Sequence, residues 1–150
     1  MIFLLDNIRS KFNIWSFFRT ADAFNLEKLI LCGFTPYPPD KEISKTAIWA
    51  ENSVNWQFYQ DSFEAIKILK SEWKKIISVE LAENSKKIWE IKFSWDEVFV
   101  FWNEINWVDK KILEISDEIL EIPMRWKVKE SMNVWVVAGI VWAFWLYCRK

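Results

Sequence analysis

The chain has 150 residues, of which 52% are hydrophobic and 27% charged, and its formal net charge is −1. That length supports one domain with a real core and not two comfortable ones; the hydrophobic share excludes disorder, and the charged share excludes a polytopic membrane protein. There is no histidine, and the two cysteines are Cys32 and Cys148, which removes the usual general base, the Ser/His/Asp triad, most zinc sites and any disulfide framework, and fits a reducing cytosol. Any nucleic-acid binding must come from local basic patches, because the molecule as a whole is close to neutral.

In chain order, IFLLD opens as a short apolar strand. Phe12, Trp15, Phe18, Ala21 and Phe24 then recur at helical spacing, and KLILC reads as a strand buried on both faces. Residues 33–45, GFTPYPPDKEISK, carry three prolines and form one long loop. A helix follows at DSFEAIKILKSEW, with Phe63, Ile66 and Leu69 on one face and a capping box of Asp61 and Glu64 at its start. KIISVEL, VFVF and ILEI near 119–122 are further short strands, and an apolar helix runs from Ser131 to Tyr147. Strands alternating with helices argue for a mostly parallel sheet between helical layers, an α/β fold formed by residues 1–150 as one domain.

The apolar run 133–148, NVWVVAGIVWAFWLYC, is shorter than the roughly 20 residues needed to span a bilayer, and no signal-peptide pattern precedes it. It is expected to be a helix buried on several sides at a subunit interface. A tail-anchored membrane protein is the competing reading.

Three segments place polar residues at the ends of apolar strands, where open α/β sheets bind ligands. They are DNIRSKFNIWSFFRTAD, VFVFWNEINWVDK and IPMRWKVKESMNVWVVAG. Taken singly, each is accounted for by caps, turn formers and solvated charges. Together they resemble the three motifs of TrmH/SpoU-type RNA 2′-O-ribose methyltransferases of the SPOUT class, in order and spacing. The first motif is carried by Asn13, Ser16, Arg19, Thr20, Ala21 and Asp22. The second is carried by Phe101, Asn103, Glu104 and Val108. The third is carried by Ile122, Pro123, Met124, Glu130, Ser131, Asn133 and Val134.

The resemblance implies a deep trefoil knot in the C-terminal half, a homodimer with a shared site, and methyl transfer from S-adenosylmethionine to a ribose 2′-hydroxyl of tRNA or rRNA in the cytoplasm. It implies cofactor contacts at Leu81, Trp102, Ile122, Met124, Ser131 and Met132, and catalysis by Arg19 with Asn13, Glu104, Ser131 and Asn133. A guanidinium is not deprotonated in proteins, so Arg19 is expected to orient the hydroxyl and a phosphate through two-point contacts. Arg9, Lys11, Lys45, Arg125, Lys127 and Lys129 are candidates for an RNA-binding patch, against the alternative of an ordinary solvated surface. No metal is expected.

The departures from the family pattern are as informative as the matches. At Trp15, Trp102, Trp107 and Trp126 the pattern has glycine, and Trp49 looks like the same replacement. The chain holds two glycines and twelve tryptophans, whereas average usage gives roughly ten glycines in this length. A gene that uses UGA for glycine, translated with UGA as tryptophan, would produce this distribution. A naturally Trp-rich variant would have to explain why the largest side chain falls selectively on glycine sites. Trp56 reads as a true tryptophan, Trp73 and Trp95 stand in turn contexts that suit glycine, and Trp135 and Trp142 are left open. Indoles at glycine positions of the cofactor loops would weaken binding. The rival function is therefore a non-catalytic RNA-binding or dimerising module of the same fold that has lost its cofactor.

Overall fold

The computed structural model describes residues 1–40, 50–102, 109–125 and 132–148. Seven strands form one sheet: β1 (Ile2–Asp6), β2 (Lys28–Cys32), β3 (Trp56–Tyr59), β4 (Lys75–Val79), β5 (Lys86–Lys87), β6 (Glu97–Trp102) and β7 (Glu118–Glu121). Their order across the sheet is β3-β2-β1-β6-β4-β7-β5, and every pairing is parallel. The helices are α1 (Lys11–Ala23), the single turn α2 (Ala50–Ser53), α3 (Ser62–Ser71), α4 (Lys110–Ile115) and α5 (Val134–Cys148).

The two central strands show why the sheet is covered on both faces. All five residues of β1 are buried. Strand alternation sends Phe3 and Leu5 to one core and Ile2 and Leu4 to the other. In β6, Phe99 and Phe101 join Phe3 while Val98 and Val100 go to the opposite side. The aromatic face is thick: Phe3 makes edge-on contacts with Phe17, Phe99 and Phe101 at centroid distances of 6.3, 6.2 and 5.0 Å. This face is covered by α1, α2 and α5, and the thinner aliphatic face by α3 and α4.

The register of α1 on the sheet differs from the expected stripe. Ile14, Phe17, Phe18 and Ala21 are the buried apolar residues of α1, while Phe12 is 60% and Phe24 41% exposed. Both stripes contain Phe18 and Ala21. The sheet selects the one with Ile14 and Phe17, and Phe24 instead stacks on Trp142 of α5 with centroids 3.5 Å apart. In α3 the buried set is Ala65, Ile66 and Leu69, with Phe63 left half-buried. Asp61 caps this helix by accepting from the backbone N–H of Phe63 (2.7 Å) and Glu64 (3.1 Å).

Strands β3 and β5 are absent from the sequence reading. WQFY is partly exposed at one sheet edge and KK exposed at the other, so neither has the buried apolar run that marks an inner strand. The helix expected from Ser131 begins at Val134; Ser131 lies outside the described residues.

Candidate active site at the carboxyl edge of the sheet

Because every strand is parallel, the segments that follow β1, β4, β6 and β7 leave from one edge, the place where open α/β sheets assemble sites. The loop after β1 is held firmly. Buried Thr35 donates from its hydroxyl to the carbonyl of Leu5 (3.2 Å) and accepts from the N–H of Ile8 (3.0 Å). Ser10 then caps α1 by accepting from the N–H of Asn13 (3.3 Å). Asn13 itself is buried.

Arg19 is exposed on α1, its guanidinium over the ring of Trp15 at 5.5 Å from the centroid. It stands eight residues beyond Lys11, roughly 12 Å along the helix axis at 1.5 Å per residue. The helix runs from the carboxyl edge back toward the start of β2, so Arg19 lies away from its own chain's loops at that edge. Two other first-motif residues serve the helix. The Ser16 hydroxyl donates to the carbonyl of Phe12 (3.0 Å), and Asp22 accepts from the hydroxyl of Ser53 on α2 (2.5 Å).

At the end of β6, Trp102 is half-buried and donates from Nε1 to Glu80 Oε2 just past β4 (2.7 Å). The indole thus bridges two of the loops expected to hold the cofactor. Glu80 Oε1 accepts from the N–H of Leu81 (2.7 Å), and the Leu81 side chain is exposed. Past β7, Ile122 packs against the aromatic-face core, and Met124 and Met132 are half-buried. Asn133 is exposed and caps α5, its Oδ1 accepting from the N–H of Trp135 (3.2 Å). Glu104 and Ser131 lie outside the described residues.

The exposed apolar side chain of Leu81 and the half-buried Ile122, Met124 and Met132 suit the flat purine of S-adenosylmethionine. The Trp102 indole stands between the ends of β6 and β4 through its bond to Glu80. The described residues fit the cofactor by their chemistry.

Of the candidate RNA-binding residues, Arg9 is exposed with its guanidinium 5.2 Å from the centroid of the exposed Phe34 ring, and Arg125 is exposed. Lys11 forms an ion pair with Asp40 at 2.9 Å. Lys45, Lys127 and Lys129 lie outside the described residues.

The sequence reading missed a cavity of about 580 Å³ on the same edge, between the ends of β1, β2 and β3 and the starts of α3 and α4. Its lining includes Asp6, Asp61 and Asp109. Burial, then the charges of Asp109 and Asp61, push the Asp6 carboxyl above its ordinary value, against hydrogen bonds from Ser62 and Asn7 that pull it down. Three carboxylates against Lys111 suit no phosphate, and none of the sequence-predicted site residues among the described ones lines the cavity. An aspartate closing a buried strand was the available signal.

The SpoU rRNA Methylase family model matches residues 1–143, and the chain belongs to that family. It is 26% identical over 144 residues to the tRNA (guanosine(18)-2′-O)-methyltransferase of Aquifex aeolicus, covering 94% of this chain and 66% of that protein. Its fold is that of the SpoU methyltransferase AviRb from Streptomyces viridochromogenes in complex with AdoMet, at TM-score 0.86 and 17% identity over 97% of this chain and 59% of that one. A structure solved for the 2-OH methylation of C/U34 on tRNA matches at TM-score 0.84 and 18% identity, with 99% and 97% of the two chains covered. The chain therefore spans slightly less than two thirds of the curated relative and about three fifths of AviRb.

Among the described residues no helix is long and apolar enough to cross a membrane. Nor does any cluster of three or more His, Cys, Asp or Glu there suit a metal. Cys32 is buried, Cys148 exposed, and both are free.

Proposed function

We propose that this chain is an RNA 2′-O-methyltransferase that acts on a tRNA or rRNA ribose in the cytoplasm, as a homodimer with a site built from both protomers. The match to the SpoU family along residues 1–143 carries this reading. Residues 1–150 serve as one such domain, with the knot that the family resemblance implies in the C-terminal half.

S-adenosylmethionine, when bound, supplies an electrophilic methyl group. Leu81, Trp102, Ile122, Met124 and Met132, with Ser131, would hold it at the carboxyl edge. The chain's own contribution is orientation. Arg19 presents a planar guanidinium that can hold a ribose 2′-hydroxyl and its phosphate in one geometry. Asn13, Glu104, Ser131 and Asn133 arrange the surrounding contacts, and Arg9, Lys11, Lys45, Arg125, Lys127 and Lys129 supply the basic surface for RNA.

The place of Arg19, away from its own carboxyl-edge loops, supports a site completed by a second protomer. So does α5. Its residues from Trp135 to Val137 and from Trp142 to Phe144 are only half-buried, an apolar surface that a second copy of the chain would cover.

The test is Arg19→Ala assayed by transfer of labelled methyl from S-adenosylmethionine to RNA, with cofactor affinity measured by calorimetry. Turnover should fall by a factor on the order of 100 or more while cofactor affinity stays nearly unchanged, because a group that orients the hydroxyl acts mainly in the transition state. Near-full transfer by Arg19→Ala removes the assignment.

A further inference from the structure

Four described residues have φ in the left-handed region: Asn7 (55°), Asn25 (49°), Gly33 (66°) and Trp73 (62°). Glycine adopts this region freely, and asparagine is the commonest other residue there. Trp73 is the exception, and its setting is specific. Glu72 ends α3, the N–H of Trp73 donates to the carbonyl of Lys70 (3.1 Å), and the N–H of Lys74 donates to the carbonyl of Leu69 (3.0 Å). These two bonds define the helix-terminating motif whose first residue past the cap is usually glycine. The Trp73 side chain does nothing to explain an exception: it is 91% exposed.

Residue 15 tells the same story by different means. The Trp15 indole N–H is buried and has no hydrogen-bond partner among the described residues, an arrangement that folded proteins avoid. Two other tryptophans contrast with residues 15 and 73 in the partners they keep. Trp145 is 6% exposed and donates to Glu97 Oε2 at 2.9 Å, and Trp56 packs edge-on against Phe18 with centroids 6.4 Å apart.

We infer that residues 15 and 73 are glycine in the polypeptide as its own cell makes it, and that residues 56 and 145 are tryptophan there. The sequence pattern raises UGA decoding and already places Trp73 in a turn context that suits glycine and reads Trp56 as a true tryptophan. The left-handed backbone at 73 and the unpaired indole at 15 give that sorting its structural grounds, and the Glu97 bond adds residue 145 to the true tryptophans. Resting on the methyltransferase reading, there is a consequence for the site. Glycine at 15 removes the ring under the Arg19 guanidinium and frees it to meet substrate.

The direct test is peptide mass mapping of the protein isolated from the cells that carry the gene, together with the codons. Peptides spanning 15 and 73 should each be lighter by the exchange of an indolylmethyl group for hydrogen. Those spanning 56 and 145 should have the tryptophan mass. Tryptophan at 73, or a UGG codon there, overturns the inference. A second measurement uses the recombinant chain with tryptophan at every such position. Trp73→Gly should raise its urea midpoint and Trp145→Gly should lower it; an unchanged or lowered midpoint for Trp73→Gly removes the conformational basis. Neither measurement depends on activity. Glycine at 15 and 73 in a protein without methyl transfer would leave the inference standing and refute the functional reading alone.

Discussion

Trp145→Phe tests how far the indole–Glu97 hydrogen bond fastens the C-terminal helix to the sheet. Glu97 opens β6 fully buried, with Oε1 accepting from the Ser94 hydroxyl (2.9 Å) and from the Ser94 N–H. Its other oxygen, Oε2, accepts from the Trp145 indole at 2.9 Å. Phenylalanine keeps an aromatic ring and removes the donor. A buried acceptor left without its partner costs about 1–3 kcal/mol. The smaller ring buries roughly 50 Å² less apolar surface, about 1 kcal/mol at 25 cal/mol/Å². The sum is about 2–4 kcal/mol, which at ~2–4 °C per kcal/mol lowers Tm by something on the order of 5–15 °C. Circular dichroism melts and urea titrations at fixed protomer concentration measure this, since association would otherwise shift both. In a double-mutant cycle with Glu97→Gln, the second substitution should cost less in the Trp145→Phe background than in the parent. A loss below about 0.5 kcal/mol with strictly additive substitutions would refute the idea that this contact fastens α5.

Asp6 has its carboxyl pKa raised by burial, so the native state holds the proton to higher pH than the unfolded chain does. Its ionisation therefore costs stability as pH rises from the unfolded value of 3.8 through the folded one. Asp6→Asn should raise the neutral-pH urea midpoint, with the difference vanishing below pH 3.8; a gain that persists at acid pH would contradict it. A Cβ at Gly139 on α5 would meet nothing within 4 Å, so Gly139→Glu should leave helix content intact. Sedimentation should nevertheless shift it toward monomer if α5 is the dimer face, and unchanged association would place the interface elsewhere. Trp102→Gly removes the indole that bridges to Glu80 and should tighten S-adenosylmethionine binding by calorimetry; equal affinity would mean that the pocket is misplaced.

The inner strands were legible because burial on both faces leaves no room for polar residues: IFLLD and KLILC appear as β1 and β2 with their expected limits. The start of α3 was legible through Asp61, a local cap that depends on nothing distant. The three polar segments follow β1, β6 and β7, and a parallel sheet sends all such ends to one edge, although Arg19 of the first segment lies away from it. What sequence could not supply was any choice between equivalent local options. In α1 two apolar stripes share Phe18 and Ala21, and only packing against Phe3 and Phe101 selects the one with Phe17. Edge strand β3 borrows its stability from pairing with β2, so WQFY carried no buried run to announce it. The role of Trp145 was likewise tertiary, whereas the turn context alone had set Trp73 apart. A chain of letters gives Trp73 and Trp145 the same side chain. The fold places one in a left-handed turn facing water and the other against a buried carboxylate, because conformation and burial belong to the whole structure and not to the residue.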